Sequence, residues 1–307
     1  MRRAGIVSRA LAKASADAGT GAAEPSWVDG HDRLGARDFQ RLAAFIHDYS
    51  GIKVPPSKST MIEGRLRKRV RALGMRSLDE YCKYLFNDQG LAAEEVHLID
   101  VVTTNKTEFF REPEHFRILT DSVLPQIAAE RRISVRSPVK VWSAAASTGA
   151  EAYTIAMVLA EQQRRTPELS GVVYATDICT EVLGTAQGGI FPVEMVTPVP
   201  PEMRTRYVMR AKDRSSRLVR MVPELRAMVQ FGRLNLMDAS YAMERDLDIV
   251  FCRNVLIYFD KPTQLAVLRR LCDHLRPGGW LFLGHSETLS GFDLPVRPAG
   301  TAVYRRS

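Results

Sequence analysis

The 307-residue sequence contains four cysteines, Cys82, Cys179, Cys252 and Cys272, and no CxxC pair. Such scattered spacing disfavours a zinc site and offers no disulfide framework, so a reducing cytoplasm is the simplest home. No uninterrupted apolar run approaches the roughly 20 residues of a membrane-spanning helix, and no membrane insertion is expected. The apolar stretch at Gly5-Ile6-Val7 breaks off at Ser8-Arg9, too soon for a secretory signal. A GxGxxG fingerprint is missing, which makes a dinucleotide a poor fit. No Ser-His-Asp or Cys-His arrangement announces nucleophilic catalysis, and no aromatic-interleaved basic strip resembles an RNA platform.

Hydrophobic residues make up 45% and charged residues 25% of the chain, the range of an ordinary soluble globular protein. Its 43 Lys+Arg against 35 Asp+Glu leave a formal charge of +8, which suits an acidic partner without naming one. Residues 1–35, rich in Ala, Gly and Ser, read as a mobile tail. From 36 to 132 the period is helical. Phe39, Leu42, Ala43, Ile46 and Tyr49 form one stripe stopped by Gly51. Ile62, Leu66, Val70 and Leu73 form another, with Arg65, Arg67, Lys68 and Arg71 on the far side. Ser77-Leu78-Asp79-Glu80 has the capping-box pattern, a fourth helix is predicted over 91–102, and Pro113 suits the first turn of a fifth that runs through Ile127.

At Val139 the rhythm changes to short β-rich runs alternating with helices, the signature of an α/β domain with a parallel sheet over 133–307. Strands are predicted at 139–142, 172–177, 229–234, 248–252 and 280–283. A helix over 262–275 is closed by Pro277-Gly278-Gly279, and a final edge strand is predicted at 301–304. Residues 192–228 break the rhythm and read as an inserted hairpin from 207–210 and 218–222. Ligands of such sheets bind beyond the strands' carboxyl ends. Three ends stand out: the small-residue loop Ala144-Ala145-Ala146-Ser147-Thr148-Gly149-Ala150-Glu151, Asp177, and Cys252-Arg253-Asn254-Val255-Leu256-Ile257-Tyr258-Phe259. The loop reads equally as a simple strand-to-helix turn. Asp177 can accept both hydroxyls of a ribose or simply cap the following helix.

Three blocks carry a closer likeness: Thr104-Asn105-Lys106-Thr107-Glu108-Phe109-Phe110-Arg111-Glu112, Trp142 through Gly149, and Ala175-Thr176-Asp177-Ile178. Asn235-Leu236, Cys252 through Asp260, and Gly284-His285-Ser286-Glu287 complete it in order. Over residues 37–305 the chain resembles the CheR family of chemotaxis receptor methyltransferases. That resemblance implies a class I methyltransferase domain with a Rossmann-like sheet and a small antiparallel insertion, preceded by an all-α domain. It implies S-adenosyl-L-methionine as cofactor and S-adenosyl-L-homocysteine as product. It also implies methyl esterification of glutamates on chemoreceptors, the reaction of sensory adaptation.

By the same resemblance, Asn105, Thr107 and Arg111 lie at the entrance between the domains and Glu151 faces the cofactor. Asp177 holds the ribose, Asn235 and Leu236 flank the adenine, and Asn254 and Val255 lie beside the methionine portion. Many relatives carry a Glu-Glu pair where this chain has Ala150-Glu151. Arg111 and Tyr258 are the candidates to position the incoming carboxylate. The plain alternatives are that Arg111 pairs with Glu108 or Glu112 and that Tyr258 packs under the sheet. His285 reads better as a local hydrogen-bonding residue than as a base, and no metal is expected. Arg65, Lys68 and Arg71 are the candidate docking face for the acidic helical bundle of a receptor. Tether-binding relatives tend to have glycines in the loop of the inserted hairpin. Residues 211–217 have none, which points away from a receptor C-terminal tether peptide. The competing classes are an RNA methyltransferase and a non-catalytic cofactor-sensing scaffold; no nucleic acid partner is expected.

Overall fold

The computed structural model describes residues 32–213 and 215–307; the tail expected over 1–35 lies outside it except for residues 32–35. Those four are anchored to the helical domain: Asp32 Oδ2 accepts from the Leu78 amide at 2.7 Å and the Leu34 amide donates to Glu63.

Four helices build that domain: α1 (Ala36–Ser50), α2 (Ser59–Ala72), α3 (Leu78–Phe86) and α4 (Leu91–Val102). Their stripes close on one core that includes Leu42, Ile46, Leu66, Val70, Tyr81 and Leu98. Gly51 ends α1 with φ of 72°, and a side chain there would strike Met237 and Phe259 at 2.8 Å, so this turn packs directly on the second domain. Only half of the capping box forms. Ser77 Oγ accepts from the Glu80 amide, while Glu80 reaches back to Arg76 rather than to Ser77. Within this core, Glu94 accepts a bidentate pair from Arg69 at 2.7 Å and a hydrogen bond from the Tyr81 hydroxyl at 3.0 Å.

The predicted fifth helix is α5 (Pro113–Ile118) and α6 (Leu124–Glu130) joined by a π-turn over 119–123. Pro125, with no amide hydrogen to donate one turn back, accounts for the widening. After β1 (Val139–Ala144) come α7 (Ala150–Arg165), β2 (Gly171–Asp177), α8 (Thr180–Gly188) and β3 (Ile190–Pro192). Next are α9 (Pro201–Tyr207), β4 (Val208–Arg210), β5 (Leu218–Met221), α10 (Pro223–Met228) and β6 (Val229–Arg233). The chain ends with β7 (Leu247–Cys252), α11 (Lys261–His274), β8 (Leu275–Leu283), β9 (Val296–Gly300) and β10 (Val303–Arg306).

The main sheet has the order β6-β2-β1-β7-β8-β10-β9, parallel from β6 through β8, with β10 antiparallel to both neighbours. Helices cover both faces. Val141, Val173, Ile249 and Phe251 point to the α5–α7 side, and Trp142, Val250, Cys252 and Leu281 point to α11. Burial on both faces explains why β7 is apolar from Ile249 through Cys252 rather than alternating, and its one acid, Asp248, is buried against Arg131 and Arg276. Two expectations need correction. The strand predicted at 301–304 is the inner β10, and the edge is β9, where Pro298 disguises a strand that an edge position tolerates. The insertion is a three-stranded sheet, β3-β5-β4, because residues 190–192 join the hairpin.

Candidate active site

The carboxyl ends of β6, β2, β1 and β7 open onto one cleft, with about 1070 Å³ of empty space, open solvent at its mouth included. Asn105, Thr107, Arg111, Glu151, Asp177, Asn235, Leu236, Asn254, Val255 and Tyr258 all line it. The structure therefore gathers every residue expected at the cofactor and the acceptor. Sequence reasoning missed the contribution of the helical domain, whose Ser50, Ile52 and Lys58 also line the cleft.

Three residues in the loop after β1 sit in left-handed backbone: Ala145 at φ 61°, Ser147 at 52° and Gly149 at 88°. A side chain on Gly149 would also meet Ala186 at 3.0 Å. The turn is fixed by Asp177, whose Oδ2 accepts from the Ser147 amide at 2.8 Å and whose Oδ1 accepts from the Cys179 amide at 2.9 Å. Asp177 thus ties the local turns and lines the cleft with lone pairs to spare, but it does not cap the following helix: the N-cap of α8 is Cys179, with no side-chain hydrogen bond. Burial pushes its carboxyl above the ordinary range, partly offset by those amides.

Beyond β7 the organising group is Arg253, lining the cleft and assigned no part by the sequence. Its side chain is 2% exposed. Nη1 donates to Glu151 at 2.9 Å, and Nη2 donates to Glu112 at 2.9 Å and to the Arg111 carbonyl. Glu151 also accepts from Ser143 Oγ at 2.7 Å. Glu112 accepts from Asn254 Nδ2 at 3.2 Å. Burial opposes ionisation of Glu112, but Arg253 and Asn254 outweigh it and hold the carboxyl below its usual value. Glu287 steadies the same turn, accepting from the amides of Gly284, Asn254 and Leu256 at 2.7, 2.9 and 2.8 Å. A side chain on Gly284 would lie 2.5 Å from Asn254 Nδ2, so only glycine lets these two loops meet.

The remaining expected residues divide. Arg111 is half-exposed and makes no ion pair among the described residues; its Nη1 donates only to the Lys106 carbonyl, at 3.3 Å. Neither Glu108 nor Glu112 engages it. Tyr258 lines the cleft and also packs against the core on the α11 side, so both readings of it have support. Asn105 donates to Thr103, and its carbonyl accepts from Ser147 Oγ at 2.9 Å. Asn235 Nδ2 donates to the Tyr49 carbonyl at 2.6 Å, which closes the helical domain over the cleft. Asp100 adds a second clasp, accepting from the amide and hydroxyl of Thr180 at 2.9 and 2.6 Å.

One expectation fails. Arg65 is no free docking cation: its Nη1 donates to the carbonyls of Val101 and Thr103, both at 2.8 Å, and so satisfies the end of α4. Lys68 and Arg71 are exposed.

The cleft is graded along the sheet. Leu234, Leu236 and Ile178 give one apolar end, Asp177 a hydroxyl acceptor in the middle, and Arg111, Glu151, Arg253 and Asn254 a charged end. This order of surfaces fits adenine, ribose and the amino-acid portion of S-adenosylmethionine in turn. Fold and cleft together define a class I S-adenosylmethionine-dependent methyltransferase.

The family model for the CheR methyltransferase SAM-binding domain matches residues 105–304, and that for the CheR all-alpha domain matches 37–103. Among curated relatives, "Chemotaxis protein methyltransferase" of Escherichia coli is 40% identical over 278 residues, 90% of this chain and 93% of its own. The relative of that name from Salmonella typhimurium is 40% identical over 269 residues, 88% of this chain and 90% of its own. "Chemotaxis protein methyltransferase 2" of Pseudomonas aeruginosa is 38% identical over 267 residues, 87% and 92% respectively. The chain belongs to the CheR methyltransferase family.

Proposed function

We propose that the chain methylates glutamate side chains in the acidic helical cytoplasmic region of chemoreceptors, forming glutamate methyl esters for sensory adaptation. The observation that supports this most is the guanidinium of Arg111, without an ion pair among the described residues, in a cleft it shares with Tyr258. A glutamate carboxyl ionises near pH 4.3, so at neutral pH the nucleophile needs no base. S-adenosylmethionine, when bound, supplies an electrophilic methyl group on a sulfonium. The chain's own task is alignment and exclusion of water, worth on the order of 7–11 kcal/mol of the barrier when reacting atoms are held in line. Asp177 holds the ribose, and Asn254 and Val255 line the charged end. Arg111 presents a planar fork to both carboxylate oxygens, and Tyr258 offers its hydroxyl. An acceptor held too tightly in its ground state would react more slowly, which suits a half-exposed arginine over a buried one.

The decisive assay incubates the protein with tritiated S-adenosylmethionine and receptor-bearing membranes, then treats the product with alkali. Counts released as methanol are expected. Label on RNA, or protein label stable to alkali, contradicts the reading. Within it, Arg111→Ala lowers kcat roughly 100-fold, the cost of losing the in-line placement of the acceptor carboxylate. Tyr258→Phe lowers kcat with S-adenosylhomocysteine affinity unchanged. Single-turnover rates and calorimetry read the two effects separately.

The exposed pair Lys68 and Arg71 is the docking candidate that remains on α2. Reversing both to glutamate is expected to raise KM for receptor roughly 10-fold at low salt, with kcat and cofactor affinity intact. Arg65→Glu instead lowers stability, because it removes the donor to the α4 carbonyls. We take the glycine-free loop of the inserted sheet as the mark of a form that does without a receptor tether peptide.

A further inference from the structure

Three imidazole and carboxylate groups adjoin the cofactor cleft on two segments: Glu112 at the N-cap of α5 and His115 within that helix, and His285 in the loop after β8. Their ligand atoms all lie within 4.8 Å of one another. His115 Nδ1 is 3.4 Å from Glu112 Oε2, and His285 Nε2 is 3.9 Å from the same oxygen. His115 is fully buried, and its Nε2 faces the Thr301 carbonyl at 3.2 Å. A carbonyl only accepts, so Nε2 carries the hydrogen and Nδ1 of the neutral ring carries a lone pair. That Nδ1 is buried with no hydrogen-bond partner among the described residues and lies 3.4 Å from a carboxylate oxygen. Two acceptors facing each other at this distance leave room for a cation.

We propose that Glu112, His115 and His285 form a binding site for a divalent transition-metal ion, zinc before the others. Two imidazoles and a carboxylate are a familiar zinc donor set that leaves a fourth position for water. Ligand atoms around a tetrahedral zinc at about 2.0–2.1 Å stand roughly 3.3 Å apart. The Glu112–His115 separation already matches that figure, and His285 needs a small rotation. The Thr301 carbonyl supplies the outer contact that fixes a metal-binding histidine in the correct tautomer. His285 is half-exposed and gives the ion a path from solvent. Arg253 shares Glu112 Oε2 and opposes the added charge, so the affinity is micromolar rather than nanomolar. Occupancy ties together the Glu112 turn, α5 and the loop after β8, whatever acceptor is methylated.

The full-length protein, stripped of metal by chelation, is titrated with zinc by calorimetry and with cobalt in the visible range. One equivalent of zinc is expected to bind, cobalt to give the intense bands of a four-coordinate site, and zinc to raise Tm. His285→Ala, at a half-exposed position, is expected to weaken zinc binding at least roughly 30-fold and abolish the rise in Tm. His97→Ala, on the exposed side of α4, is expected to leave both unchanged. Binding weaker than about 100 µM, or wild-type affinity in His285→Ala, overturns the assignment.

Discussion

Arg253→Met is expected to cost about 3–5 kcal/mol of stability, the penalty for removing one member of a buried ionic network. The side chain donates to Glu151, Glu112 and the Arg111 carbonyl. Its loss leaves two inward-facing carboxylates side by side, each with a side chain less than one-sixth exposed. Lysine does not rescue the site, because a single ammonium lacks the fork that spans two acids and a carbonyl. Neutralising the acids should do so in part: Glu112→Gln and Glu151→Gln added to Arg253→Met recover much of the lost free energy, a coupling that denaturant unfolding of the variants reads directly. Equal instability in the triple variant would show that Arg253 acts through packing, with its guanidinium 5.6 Å from the centre of the Phe116 ring.

The second large effect belongs to Asp177. Asp177→Asn is expected to weaken S-adenosylhomocysteine roughly 100-fold, since charge-assisted hydrogen bonds to the ribose contribute about 1.5–3 kcal/mol each. An amide also turns a donor toward either the Ser147 or the Cys179 amide, which now donate to opposite oxygens of the carboxylate. The loop after β1 then loses a tie, and Tm falls as well. Calorimetry on the folded variant separates the two losses. A Kd within threefold of wild type would reduce Asp177 to a turn-capping residue and place the ribose elsewhere.

Much of the molecule was legible because short-range periodicity encodes it. The stripes of α1 and α2 and the apolar run of β7 each follow from burial on one face or two. Residues at strand ends were legible for the same reason: polar groups such as Asp177 and Asn254 interrupt apolar runs where a parallel sheet meets its ligand. What escaped notice depends on partners far away in the chain. Asn235 meets Tyr49 across 186 positions and Arg253 meets Glu112 across 141. Arg65 looked like one more cation on a polar helix face, and nothing local reveals that α4 ends against it. β9 was hidden by Pro298, whose missing donor counts against a strand except at an edge. The π-turn was hidden because the apolar spacing through Leu119 and Val123 is the same whether or not the helix widens.

The residues of this cleft, on the proposed function, align an acceptor that is already ionised and move no proton in the rate-determining step. The single-turnover methylation rate of receptor, followed from pH 5.5 to 9 in light and heavy water, tests it most directly. A carboxylate nucleophile predicts a rate flat across the range, because its ionisation is complete below pH 5.5, and a solvent isotope effect near one. An ascending limb centred near pH 6.5, or a twofold or larger slowing in heavy water, would reveal a general base and contradict the account.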